Sequence, residues 1–209
     1  MLRYGLIGNG RLLGGYTVPE DPNHGGLQPY PFDLTKARQL LQEAGYAAGF
    51  TLSLLVADYT ASKIENILGV SLRQLGITVE SKRMTMPEFL KAVYLPKFTH
   101  ALPPAFDIVL FSLPVGTIFH AGMVPMALLY SKQANYSVVR DLFLDQLYEA
   151  AVRTYDPAKA STLWQKLEHY VYEQHLLLMG YQERAIFGAQ QRLHFTPRVL
   201  MSFWDAYYE

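Results

Sequence analysis

One stretch, from Asp33 to Val56, constrains the fold more than any other part of the sequence. Asp33 is a good helix N-cap because its carboxylate can accept hydrogen bonds from the free N–H groups of the first turn. Apolar residues then recur at helical spacing, and Gly45 sits where a left-handed residue ends a helix. After Gly49 the apolar residues alternate, as they do in a strand. The stretch therefore predicts a capped helix, a short turn and a buried strand. The apolar stripe of the helix consists of Ala37, Leu40, Leu41 and Ala44.

A second helix and a second strand follow directly. Ser62 and Glu65 have the spacing of a capping box, and Gly76 closes the helix. The residues from Ile77 to Lys82 then predict another strand. A strand, a helix and a strand with short links form a βαβ unit, so the two strands should be parallel with a right-handed crossover.

The rest of the chain continues this alternation. Thr85 and Glu88 form another capping box, for a short helix to about Tyr94, and the run FDIVLFSL is typical of a central strand. The residues from Gly116 to Tyr136 have no clear period and predict an extended loop or crossover. The strand-like runs LLLMGY and AIFGA come after two further helices.

Each of the two later helices has its own signal. The first is marked by apolar residues at Val139, Leu142, Phe143, Leu147 and Ala150. The second begins with Asp156 as its cap and Pro157 at its first position, where proline is favoured. Its apolar stripe is Ala160, Leu163, Trp164, Leu167 and Val171, and we expect Trp164 to lie in the core. Together the elements predict an α/β fold with a mixed, mostly parallel sheet flanked by helices.

Composition excludes several classes of protein. The charges of the 18 basic and 18 acidic residues sum to zero, so the sequence lacks the excess of positive charge that is typical of a nucleic-acid-binding protein. The absence of cysteine excludes disulfides and thiolate chemistry. No apolar run approaches the roughly 20 residues of a membrane helix, and the start of the chain lacks the apolar region of a signal peptide. We expect any exported parent protein to carry its signal upstream.

Catalytic and cofactor motifs are also missing. The glycines at Gly8 and Gly10 invite a dinucleotide interpretation, but Leu13 stands where GxGxxG needs glycine, and no strand precedes it. The six histidines form neither HExxH nor another metal-ligand spacing, and no GxSxG elbow occurs. His169 and Glu173 share a helix face, which is more often a solvated pair than an acid–base couple. We therefore predict no enzyme, no cofactor and no metal site.

The ends of the strands are the expected place for a ligand, since ligands of open α/β sheets bind beyond the carboxyl ends of parallel strands. The loop after Val56 holds Asp58 and Tyr59, and the loop after FDIVLFSL holds Phe119 and His120. Each has a plain alternative: Asp58 can simply start a turn, and His120 can be a satisfied loop histidine. Tyr130 can line a pocket or cover the edge of the core.

Taken in order, these segments resemble a known family. The pattern KAxxLLxEAGYxxGF, the later strand beginning GITVE, the run FDIVLFSL and the two helices after it are similar to the C-terminal lobe of family-5 extracellular solute-binding proteins. These are the dipeptide, oligopeptide and nickel binding components of ABC importers. The resemblance covers roughly Gly5 to Leu193 and implies one lobe of a type II periplasmic binding protein.

The resemblance implies a division of the chain and a set of partners. Residues 1–32 would be an irregular lead-in on the hinge side, residues 33–193 the ligand-binding lobe, and residues 194–209 an aromatic tail that returns toward a missing N-terminal lobe. The parent would be periplasmic or extracellular and membrane-associated, would have an ABC permease as a partner, and would bind a peptide or another small solute. In a lone lobe the tail would be unpaired, and its exposed aromatic residues would favour self-association.

The resemblance also implies contact residues. In the family the strand that matches FDIVLFSL ends in a motif like GWxADY, whose aromatic residue and aspartate contact the ligand. Here those places are taken by Ser112, Leu113, Pro114, Val115, Gly116 and Thr117, with Leu113 for the tryptophan and Gly116 for the aspartate. A ligand ammonium would lose its counter-ion, and a buried unpaired charge is expensive. A less charged ligand is therefore favoured. The alternatives are a non-transporting sensing or interaction module built on the same lobe and an unrecognised α/β enzyme.

Overall fold

The computed structural model of the protein describes residues 8–58, 60, 62–93, 106–112, 121–132, 140–184, 188–196 and 205–208. Strands and helices alternate through the first half, and helices dominate the second half. The strands are β1 (Gly10–Leu12), β2 (Thr51–Ala57), β3 (Thr78–Met84), β4 (Ile108–Leu110), β5 (Tyr181–Glu183), β6 (Leu193–His194) and β7 (Tyr207–Tyr208). The helices are α1 (Leu34–Glu43), α2 (Ser62–Arg73), α3 (Met86–Val93), α4 (Met123–Leu128), α5 (Leu142–Arg153) and α6 (Pro157–Glu173).

A parallel sheet of β3, β2 and β4, in that order, confirms the predicted α/β architecture. Leu52 of β2 lies opposite Val79 of β3, and Leu55 lies opposite Val109 of β4. The βαβ unit predicted for β2, α2 and β3 is therefore present. The prediction that FDIVLFSL forms a central strand is wrong for the described sheet, because β2 is central and β4 lies at the edge. Ile108 of β4 is correspondingly 38% exposed.

Side chains on both faces of the second half of β2 are buried, which explains why its residues 54–57 are all apolar. Leu52, Leu54 and Val56 pack on one face with Ile77 and with apolar residues of α1 and α2. The opposite face of β2 packs against α3. The sheet is thus covered by helices on both sides over β2.

The second apolar core belongs to α4, α5 and α6. Trp164, Leu167 and Val171 of α6 are buried there, as the predicted stripe requires. The Trp164 ring lies edge-on to Tyr148 of α5 at a centroid distance of 5.8 Å. Phe111, just after β4, packs against this core and against the α3 face of the sheet, so the two parts are continuous.

The predicted caps are largely confirmed. The Asp33 side chain accepts from the N–H of Lys36, and the Asp156 side chain accepts from the N–H of Lys159. The Glu88 carboxylate accepts from the Thr85 N–H at 3.0 Å and from its hydroxyl at 2.8 Å. The capping box predicted at Ser62 is wrong. Ser62 already lies inside α2, and Glu65 instead bonds to the side chains of Ser81 and Arg83 on β3.

The helix predicted from Val139 is confirmed as α5, but of the apolar residues within it that predict the helix, only Leu147 is buried. Leu142 is 76% exposed and Phe143 45% exposed, whereas Leu144, Asp145, Leu147 and Ala151 are buried. The Asp141 side chain caps the helix through the N–H groups of Phe143 and Leu144, which places Leu142 at the solvent side of the first turn. Val139 lies outside the described residues.

Other expectations are corrected in the loops. Helix α4 lies within the stretch from Gly116 to Tyr136 that the sequence predicts as a loop. Of the run LLLMGY, only the tyrosine belongs to a strand, since β5 begins at Tyr181. The two ends of the tail pair with each other, because β7 forms an antiparallel ladder with β6. Tyr207 and Tyr208 nevertheless remain 56% and 66% exposed.

Residues 8–32 contain one short strand and pack against the rest of the described chain. That strand, β1, pairs antiparallel with β5 in a two-stranded sheet of their own. Residues 13–30, which we call the strap, then run along α6. Leu13, Tyr16 and Thr17 of the strap are buried.

Candidate functional site

The carboxyl ends of β2, β3 and β4 form one edge of the parallel sheet, which we call the carboxyl edge. Val56 of β2 lies opposite Leu110 of β4 and Arg83 of β3. Asp58 and Ser112 each come two residues after this register position, so the structure brings these two predicted site residues to the same edge. Because parallel strands end together, the edge has the topology of a ligand site.

Asp58 is held at this edge by its backbone. Its N–H donates to the Met84 carbonyl at 2.8 Å, and its own carbonyl accepts from the Arg83 guanidinium at 2.9 Å. The Arg83 guanidinium also donates to the Thr60 carbonyl and pairs with the Glu65 carboxylate. The exposed Asp58 carboxylate makes no ion pair with any residue that the structure describes. It is therefore a negative charge at the edge that an incoming ligand can reach.

Thr60 is a residue at this edge that sequence reasoning misses. It is 2% exposed, and its hydroxyl has no hydrogen-bond partner in the described part of the chain. A buried hydroxyl without a partner is costly, so it marks a place where a water or ligand atom would be favourable. Only the spacing after β2 could have signalled it, because a lone threonine carries no motif.

Ser112 connects the end of β4 to β5. Its side chain lies near the phenol of Tyr181 on β5. Burial raises the pKa of Tyr181, and the interaction with the Ser112 side chain opposes that rise. Ser112 therefore lies between the carboxyl edge and the β1–β5 ladder.

Tyr130 packs on α5. It is 9% exposed, its hydroxyl donates to the Glu149 carboxylate at 2.9 Å, and its ring lies 4.5 Å from that of Tyr148. Burial and the bond to Glu149 raise the pKa of Tyr130. These contacts place Tyr130 at the edge of the helical core. The remaining predicted site residues lie outside the described residues: Tyr59, Leu113, Pro114, Val115, Gly116, Phe119 and His120.

One cluster has the residue types of a hydrolytic triad but the wrong geometry. The Thr17 hydroxyl lies 2.7 Å from Glu168 and 3.0 Å from the Nδ1 atom of His24. In a triad the histidine lies between the nucleophile and the acid. Here the threonine lies between them and is 2% exposed, so its oxygen is not presented to a substrate.

His169 does not form the pair predicted with Glu173. Its Nε2 atom lies 2.9 Å from the Gly25 carbonyl of the strap. Within the described ranges no group of three or more acidic or histidine side chains could hold a metal ion.

An apolar groove lies apart from the predicted residues, at the end of α6. It is lined by Tyr30, His175, Leu177 and Leu178 and has a volume of about 330 Å³. The Tyr30 ring stacks on Tyr172 at 4.2 Å. His175 has a φ of 53° and occupies the left-handed position that ends the helix.

Comparison with known structures defines the class of fold: it is that of one lobe of a periplasmic binding protein. The resemblance to solute-binding proteins of ABC transporters predicted from the sequence is thereby confirmed. Identities with the solved structures are about a fifth, so these likenesses concern the fold. No protein-family model matches the sequence.

Three solved structures illustrate the likeness. A nickel ABC transporter structure from Bacillus halodurans has a TM-score of 0.71 and 20% identity, covering 85% of this chain and 38% of its own. A dipeptide binding protein from Pseudoalteromonas sp. SM9913, in complex with Met-Leu, has a TM-score of 0.70 and 20% identity, covering 87% and 36%. The periplasmic binding protein DppA from Helicobacter pylori, in complex with a peptide, has a TM-score of 0.69 and 18% identity, covering 84% and 34%.

A curated relative agrees with them. The glutathione-binding protein GsiB of Pectobacterium atrosepticum is 41% identical over 58 residues, which are 27% of this chain and 11% of that protein. The chain thus matches between about a tenth and two fifths of the length of these relatives. The curated relative and two of the three solved structures are named as binding proteins, and the third structure is named as a nickel ABC transporter. None of the described helices has the length and apolar character needed to cross a bilayer.

Proposed function

We propose that this chain acts as one lobe of the substrate-binding component of an ABC importer for peptides or a related small solute. The observation that carries the proposal is the parallel β3–β2–β4 sheet with Asp58 and Ser112 at its carboxyl edge, in a fold shared with solute-binding proteins. In this proposal the lobe works outside the cytoplasm and passes its solute to a membrane permease. It performs no chemistry on the solute.

The proposed site is the carboxyl edge together with the loops that leave it. Its contact residues are Asp58, Tyr59, Ser112, Leu113, Pro114, Val115, Gly116, Phe119, His120 and Tyr130. The ligand would lie against this edge, and a second lobe would cover it from the other side. The match to about a third of each solved relative supports this two-lobed arrangement. Binding and release would then follow from hinge closure between the lobes.

The ligand chemistry follows from the charges at the edge. The resemblance puts Gly116 where the family has the aspartate that pairs with a peptide amino group. Asp58 remains as a carboxylate at the carboxyl edge, in the loop after β2. We therefore propose a solute whose cationic group is either absent or directed to Asp58. Glutathione is a candidate because of the local identity with GsiB.

Isothermal titration calorimetry tests the proposal with glutathione, Met-Leu and the N-acetylated form of Met-Leu. We expect binding by the lone chain to be weaker than about micromolar, because a single wall buries half of a ligand or less. A chimaera in which the chain replaces the matched part of the Pseudoalteromonas protein should bind at least one of these solutes more tightly.

The variants Asp58→Asn and Ser112→Ala in the chimaera should weaken binding by about tenfold each, since each removes one polar contact. Glu80→Gln is the matched control, because Glu80 is an exposed carboxylate on β3. Micromolar or tighter binding by the lone chain would contradict the need for a second wall. A folded chimaera that binds none of the solutes would contradict the proposed function.

A further inference from the structure

Helix α6 has a polar face that holds the strap along its whole length. The apolar stripe of α6 points into the helical core, and a different set of side chains contacts residues that lie about 140 positions earlier in the chain. The Tyr30 hydroxyl donates to the Tyr172 carbonyl at 2.6 Å near the end of the helix. The α6 residues that bond to the strap are Ser161, Glu168, His169 and Tyr172, and His175 does so just beyond the end of the helix.

Glu168 is the only one of these residues whose side chain is fully buried. One carboxylate oxygen accepts from the Thr17 N–H and the Thr17 hydroxyl, both at 2.7 Å. The other accepts from the Gly25 N–H at 2.7 Å. A buried carboxylate is stable only when such donors replace its water, so these bonds are what allow Glu168 to lie there.

The Thr17 hydroxyl lies between Glu168 and His24. It has one proton, which it donates to Glu168. The Thr17 oxygen also lies 3.0 Å from the Nδ1 atom of His24. His24 Nδ1 also lies 3.9 Å from the second Glu168 oxygen. The strap therefore brings three donors and one histidine to a single acidic side chain.

Two glycines make room for the carboxylate. A Cβ atom on Gly15 would lie 2.1 Å from a Glu168 oxygen, and one on Gly25 would lie 2.9 Å from the other oxygen. Both positions thus require the absence of a side chain. The strap is fitted to Glu168 by shape as well as by hydrogen bonds.

The strap is coupled directly to the β1–β5 ladder. It begins at the residue after β1, and Arg11 of β1 donates to Gln182 of β5 at 2.7 Å while pairing with Glu20 of the strap. The hydrogen bond from Arg11 lowers the pKa of Glu20 to about 2. A strap released from α6 would therefore loosen the support of β1 on β5.

We propose that Glu168 is a positioning residue that holds the strap against α6 and thereby keeps the β1–β5 ladder in place against the helical core. This role of Glu168 is a property of the chain alone. It can therefore be tested without any ligand.

Hydrogen exchange of the full chain, resolved to single amides, tests whether Glu168 holds the strap against α6. In Glu168→Gln the side-chain volume is kept, but an NH₂ group must face either Thr17 or Gly25, both of which offer donors. We expect the amides of Thr17, Gly25 and β1 to exchange about tenfold faster or more, while the amides of α5 are unchanged. Glu173→Gln, at an exposed position of the same helix, is the matched control and should change none of them.

Two further variants keep the test decisive if Glu168→Gln does not fold. Thr17→Val removes only the hydroxyl donor, and Gly15→Ala places a methyl group against the carboxylate. Both should accelerate exchange in the strap and β1 selectively. Unchanged exchange there, or an equal acceleration in α5, would overturn the proposal. Failure of the chimaera to bind solute would count against the proposed function only, because the exchange result does not depend on it.

Discussion

The sheet part of the molecule, built on β2, β3 and β4, and the helical part, built on α4, α5 and α6, are held together in different ways. In the sheet part β2 and β3 are joined by α2, and their register is set by residues less than 30 positions apart. In the helical part the bonds from α6 to the strap join residues 139 to 151 positions apart. Local pattern therefore specifies the first part, whereas the second depends on closure of a long stretch of chain.

The largest effect is expected when one large apolar side chain is removed from each part. Trp164→Ala and Phe89→Ala should each lower the free energy of unfolding by about 3–5 kcal/mol, since both residues are almost fully buried. Only Trp164→Ala should also accelerate exchange of the strap amides, because Trp164 lies on the helix that holds the strap. Urea unfolding and hydrogen exchange measure the two effects.

Phe32→Ala is the control for both variants. Because Phe32 is 75% exposed, this substitution should lower the free energy of unfolding by less than about 0.5 kcal/mol. If strap amides exchange as fast in Phe89→Ala as in Trp164→Ala, the two parts are not separable in the way described.

A smaller effect is expected at the turns of the sheet part. Gly49 has a φ of 77°, and a Cβ atom there would lie 2.1 Å from the Gly76 carbonyl oxygen. Gly45 has a φ of 85° but has open space around it. Gly45→Ala should therefore cost only the left-handed conformation, about 1–2 kcal/mol, and Gly49→Ala should cost about 1–3 kcal/mol more through the clash. Equal losses in thermal unfolding would show that the contact between the two turns is not tight.

The smallest effect concerns pH. The N–H and hydroxyl of Ser53 on β2 both donate to the Asp107 carboxylate, at 2.8 and 2.7 Å, and these bonds lower the pKa of Asp107. Because the folded pKa is depressed, the stabilisation is present above the unfolded value and is lost as the pH falls through the folded one. Asp107→Asn should therefore flatten the decline of stability below about pH 4. Parallel pH profiles for the two proteins would contradict this.

The parts of the fold that the sequence predicts are those with a local cause. The Asp33 and Asp156 caps and the Thr85–Glu88 box each need only three or four consecutive residues. The alternation in β2 and the stripe of α6 need one element. The buried face of α5 is different, because Asp145 turns inward to accept from Ser131, a partner that no local pattern reveals.

The same limit applies to the candidate site. Asp58 and Ser112 could be placed together because parallel strands end at one edge. The environment of Tyr130 depends on Glu149, and that of Thr60 depends on the backbone after β2, so neither is visible in the sequence. Glu168 is the clearest case. A glutamate in the middle of a helix predicts a solvated side chain, and only the distant strap explains its burial.

The antiparallel pairing of β1 with β5 has a consequence for protein engineering. Leu12 lies opposite Tyr181 and Gly10 lies opposite Glu183. The segment that runs from β1 to β5 therefore begins and ends at neighbouring points. A segment whose two connections are adjacent can be spliced into a surface loop of a host protein with short linkers. Residues 10–183 can therefore be inserted as one segment into a single surface loop of a host protein, because both ends of the segment lie at the same place.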